Sequence, residues 1–187
     1  LKKLKVLFYF LTFLFLVFLF KNKIYYHLFQ YKKITERPVL ASKDTSFTNY
    51  IHKQCPPKNP NEIKHIKEII ELALTITSTQ LSFASTPGSV TSNQLIHSRQ
   101  GNCILYASYF NIVCTKILQY YGYDKYYQCT HAVGKIYCGP FSMHAFTSDS
   151  FWKDHDYNII KGNRNEIYAV DPSLYDYTGI RWVSCGN

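Results

Sequence analysis

This 187-residue chain lacks several of the patterns that would place it quickly. It has no C-x-x-C, so the usual paired-thiolate metal and redox motifs are missing. It has no dense acidic cluster of the kind that holds calcium, and no internal repeat that would indicate a solenoid or propeller. Acidic residues are scarce, 12 against 21 Lys and Arg, giving a formal net charge of +9. That excess is not spread evenly. Eight Lys/Arg and one acid, Glu36, lie within residues 1–40, a balance of +7 that leaves +2 for the rest. The basicity is therefore a terminal feature, more consistent with a membrane flank than with a nucleic-acid surface. The chain is also not short of apolar residues, at 47% hydrophobic with 17% aromatic, which excludes disorder for the whole. Its length suits one ordinary domain and not two well-developed cores.

The longest apolar run, Val6 to Phe20, is uncharged, with Lys2, Lys3 and Lys5 before it and Lys21 and Lys23 after it. Fifteen helical residues reach roughly 22 Å, so the flanking aromatics and lysine stems must extend the run to cross a hydrocarbon layer of roughly 30 Å. No small-residue cleavage site follows it. The expectation is an uncleaved signal-anchor over 1–34, a single pass through a membrane with the side undecided, then a linker over 35–61 and one domain over 62–187. Within that domain, Asn61 reads as a cap for an amphipathic helix with apolar positions at Ile63, Ile66, Ile69, Ile70, Ala73 and Leu74. A largely uncharged helix should start at Cys103, capped by Asn102, and stop at Gly122. Beyond it, KYYQCTHAV, KIYC, SMHAFTS and EIYAVD read as successive antiparallel strands, so the fold class is α+β.

Chemistry centres on Cys103. A thiol in the first turn of a helix feels the positive end of the macrodipole and unpaired N–H groups, both of which favour thiolate. Its own N–H would face an oxyanion formed on an attacked carbonyl. Gln94, Gln100 and Asn102 are candidates for a second donor. A thiol nucleophile needs a base and a group that orients the base. Strand alternation allows His144 and Asp171 to stand side by side toward Cys103.

These residues carry a resemblance. GNCILYASYF (Gly101 to Phe110), MHAF (Met143 to Phe146) and YAVDP (Tyr168 to Pro172) together resemble the transglutaminase-like superfamily over about residues 62 to 180. The resemblance implies a papain-like core, with Cys103 as nucleophile, His144 as base and Asp171 as orienter. It implies acyl transfer on protein or peptide amides, either as a cysteine peptidase or as a transglutaminase, with no cofactor and no nucleic-acid partner. Phe146 and Ser148 stand where the family often carries Trp and an acid. The polar stretch Asp149 to Asn165 reads as an insertion, a hairpin tip or lid.

Two other readings compete. Cys129 and Cys138 would face each other in a hairpin turning at Val133-Gly134, as a disulfide pair. The same cysteines with His131 and His144 offer the donors of a structural zinc module, although strand spacing argues against their convergence. The third reading keeps the fold as a binding or assembly domain without chemistry.

Overall fold

The computed structural model describes the chain except residues 1, 41, 43, 58–64, 86–91, 146–152 and 187, and the side chains of residues 2 and 92–94. The expected cap Asn61, the residues Phe146 and Ser148, and the side chain of Gln94 lie outside the described residues.

Helix α1, Lys2–Leu28, is continuous through the lysine pair that follows the apolar run. Residues 3–20 are exposed throughout, and the helix is long and apolar enough to cross a membrane. Its 27 residues reach roughly 40 Å, which covers the hydrocarbon layer and most of the headgroup depth.

No tether follows. Leu28 leads directly into strand β1, Phe29–Arg37, and helix α2, Thr45–Gln54, then buries Phe47 and Ile51 in the core. Much of what reads in sequence as membrane flank and linker is thus part of the folded domain. Asp44 caps α2, accepting from the N–H groups of Ser46 and Phe47. Helix α3, Ile66–Gln80, presents the expected apolar stripe inward. Strand β2, Ser82–Phe83, and helix α4, Ser92–His97, lead to strand β3, Gln100–Gly101, which pairs parallel with β2. Helix α5, Cys103–Tyr121, is the central helix. The Asn102 side chain accepts from the Leu105 N–H, and Gly122 ends the helix at φ 76°, a conformation that costs a glycine little.

The sheet follows α5. Strand β4, Tyr127–Cys138, runs unbroken through Gly134. It carries β1 on one side and strand β6, His155–Gly162, on the other, both antiparallel. Strand β5, Phe141–Ser142, folds back on the end of β4. Strand β7, Ile167–Val170, pairs antiparallel with β6. Helix α6, Pro172–Thr178, precedes strand β8, Ser184–Gly186, which pairs parallel with β1. The order is β7-β6-β4-β1-β8, so the α+β class holds while the sheet is mixed rather than purely antiparallel.

Three expectations are corrected here. The hairpin at Val133-Gly134 does not exist. Gly134 is instead a mid-strand position where an added Cβ would fall on the Lys32 carbonyl oxygen of β1. Cys129 and Cys138 therefore lie nine residues apart on one strand, roughly 30 Å, and cannot form a disulfide; both are free thiols. Of the described residues of SMHAFTS, Ser142 ends β5 and the next three form a turn through Ala145. The stretch read as an inserted lid contains β6, a strand inside the sheet.

One face of the sheet packs on α5, α3 and α2, with Cys129, Ile160 and Val170 facing the helices. The other face buries Tyr31, Ala132, Tyr157, Ile159 and Ala169 against Tyr25, Leu174 and Val183. Because both faces are covered, β6 is buried along most of its length.

Candidate active site

Three elements meet at one end of this arrangement. Asn102 fixes the first turn of α5 and so places Cys103, which is 7% exposed. β6 begins with His155, and β7 ends immediately before Asp171. Asp171 is 2% exposed, and its hydrogen bonds fix it on all sides. Its Oδ2 accepts from His155 Nε2 at 2.6 Å and from the Tyr31 hydroxyl at 2.8 Å. Its Oδ1 accepts from Ser173 Oγ at 2.7 Å and from the Leu174 N–H at 3.0 Å, which makes the same carboxylate the cap of α6.

The His155 ring is held by Asp171 on one side, and Cys103 lies on the same cleft wall, near enough to raise the pKa of the imidazole. Nε2 is engaged by Asp171, so Nδ1 is the nitrogen left for the sulfur. Burial works against a charged imidazole, but the Asp171 carboxylate and then Cys103 outweigh it and hold the His155 pKa well above its ordinary value. Burial likewise disfavours the Asp171 charge, and His155 with the surrounding donors outweighs that, holding its pKa below the carboxylate range. Burial and the neighbouring Asp171 charge keep the Tyr31 phenol protonated, so it donates. Tyr31 is bonded in turn to the Tyr25 hydroxyl at 2.9 Å, which extends the network into the last turns of α1.

A cleft of about 670 Å³ opens over these groups. Cys103, His155 and Asp171 form part of its wall, with Tyr25, Phe83, Ile136, Met143, Leu174 and Tyr177 supplying apolar surface. Two of the three expected triad positions, Cys103 and Asp171, are thus brought together. The expected base is not the residue between them. His144 lies in the turn after β5 and lines the same cleft, while Asp171 is bonded to His155. The histidine that the structure places on Asp171 is His155, eleven residues later in the stretch read as an insertion.

Among the oxyanion candidates, the Cys103 N–H stands at the helix start, unpaired within α5 as first-turn donors are. Gln100 is exposed on β3, and the Asn102 side chain is used as the cap.

A second buried cluster sits between α5 and the sheet. His131 Nε2 is 2.7 Å from Asp156 Oδ1, and its Nδ1 is 3.3 Å from Ser108 Oγ. Arg37 clasps Asp156 from the end of β1, its Nε at 2.5 Å from Oδ1. Burial would raise the Asp156 pKa, but His131 and Arg37 together lower it. None of Ser108, His131 and Asp156 lines the cleft, so this cluster clamps helix to sheet rather than meeting a substrate. It also removes His131 from the zinc hypothesis. Cys129 is buried beside Cys114, and burial with that neighbour pushes its thiol pKa up. Among the described residues no group of three or more His, Cys, Asp or Glu is placed to share a metal ion.

No protein-family pattern, curated protein or solved structure matches this chain.

Proposed function

We propose that the chain is a membrane-anchored thiol acyltransferase or hydrolase acting on protein or peptide amides, with a transglutaminase-like, papain-like core. The observation that carries this reading is the ordered contact of Cys103, His155 and Asp171 on the wall of one cleft. Two of the three segments that carry the resemblance, GNCILYASYF and YAVDP, supply the first and third of these residues, while MHAF does not supply the second.

In this mechanism the Cys103 thiol passes its proton to His155 Nδ1 and its sulfur attacks the amide carbonyl carbon, while the Cys103 N–H donates to the developing oxyanion. The carbonyl re-forms as the C–N bond breaks, and the departing amine takes the proton from His155 Nδ1. A thioester on Cys103 remains. Water or a second amine then attacks it, losing a proton to His155, and the thiolate leaves. Asp171 stabilises the imidazolium whenever His155 holds the proton and fixes the ring, with Tyr31 and Ser173 holding the carboxylate in place.

The test uses the full chain in vesicles with dimethylated casein and a fluorescent primary amine, quenched in acid and read by intact mass. A hydroxylamine-labile acyl adduct is expected on Cys103, absent from Cys103→Ala. Turnover that persists unchanged in Cys103→Ala overturns the assignment.

A further inference from the structure

A separate pocket of about 390 Å³ lies under the last turns of α1, away from the thiol. Asn22, Lys23, Tyr26 and His27 form one wall, a spacing that puts them on a single helix face. Lys67 of α3, Tyr168 of β7 and Trp182, just before β8, form the other. The wall is clasped to the domain where Asn22 Oδ1 accepts from the Arg181 N–H at 2.9 Å. The Lys67 ammonium lies 6.0 Å from the Trp182 ring centre, over its face. Among the described residues no Asp or Glu lines the pocket. The nearby acid Glu71 is already opposite Arg181 at 3.8 Å.

Position along α1 identifies what would fill such a pocket. Residues 22 to 27 stand roughly 3 to 10 Å along the axis beyond Phe20, the last residue of the apolar run. That interval matches the polar headgroup layer beside the hydrocarbon. Aromatic rings and lysines are the residues that settle at this depth, and here they form a concave site, without an acid among the described residues, rather than a diffuse flank. We propose that this pocket binds the phosphate-bearing headgroup of an anionic phospholipid, with Lys23 and Lys67 as its cationic partners and Trp182 as its floor. The proposal rests on α1 crossing a membrane and is independent of the thiol chemistry. Its consequence is orientation: a headgroup held between α1 and α3 fixes how the domain sits on the bilayer.

The chain has two tryptophans, so Trp152→Phe leaves Trp182 as the sole reporter. The full chain with that change is placed in phosphatidylcholine nanodiscs containing rising fractions of phosphatidylglycerol. A saturable change in Trp182 emission is expected. Lys67→Ala should raise the half-saturating fraction about fivefold, the share that one lysine contributes at an anionic surface. Lys67→Arg should restore it, and Lys53→Ala, a lysine of α2 outside the pocket, should leave it unchanged. An equal response in Lys67→Ala and the parent overturns the site in favour of diffuse surface charge. A saturable response to inorganic phosphate in pure phosphatidylcholine discs overturns the lipid as the source. Failure of the chain to float with vesicles overturns the anchor and the site together, whereas loss of acyl transfer alone touches only the thiol reading.

Discussion

Asp171 shows how much one side chain can be made to do. It ends a strand, caps the helix that follows, and holds both His155 and Tyr31. The identity of such a residue is easy to read in sequence because an Asp before a Pro, after an apolar strand, has few roles. Its partner was not legible. His155 sits in DSFWKDHDYNII, where Asp156 and Asn158 give the look of a polar loop. Both are in fact buried, Asp156 bonded to His131 and Arg37, and Asn158 donating its Nδ2 to the carbonyls of Ala107 and Thr130. A strand covered on both faces shows no alternation, and buried polar partners contributed by distant residues leave no local signature. The pair also sets a pH dependence. His155 is raised, so its contribution to stability is complete below its ordinary value of 6.5 and is lost as pH rises through the folded value. Asp171 is lowered, so its contribution is complete above 3.8 and is lost as pH falls through the folded value. Urea unfolding is therefore expected to show this contribution as a plateau between these two limits that falls away on either side. In His155→Gln the alkaline fall should shrink; an unchanged profile would contradict the pairing.

At the scale of elements, α5 was the most legible part. Asn102, an uncharged interior and Gly122 define its ends in sequence, and the same cap that starts the helix places Cys103. Strand β1 was the least legible. FQYKKITER has four charged residues in nine and follows an apolar helix, so it reads as a membrane flank. Its value lies in pairing: β1 lies between β4 and β8 and delivers Tyr31 to Asp171. The long β4 was split in sequence because Gly134 looks like a turn, whereas glycine is required there by the close approach of the Lys32 carbonyl. Gly134→Ala is expected to push β1 off β4 and destabilise the domain by about 1–3 kcal/mol, with amide exchange accelerating first along β1. A variant as stable as wild type would show that the two strands have room between them.

On the scale of the whole molecule, the apolar helix α1 and the candidate site are not separable modules. Helix α1 runs into β1 without a linker, and Tyr25 of α1 lines the cleft while bonding to Tyr31. The N-terminal helix is legible as an apolar run between lysines; its union with the domain is not, since the contact of Tyr31 with Asp171 joins positions far apart in the chain. The claim on which the functional account turns is that Cys103 is activated by His155. It is tested most directly by following alkylation of the full chain with iodoacetamide across pH and mapping each of the six cysteines by mass spectrometry. Cys103 should react selectively at pH values below the ordinary thiol range near 8.5, His155→Ala should slow it at least about tenfold there, and His144→Ala should leave most of the rate. Equal, slow labelling of all six thiols, or a loss confined to His144→Ala, would contradict it.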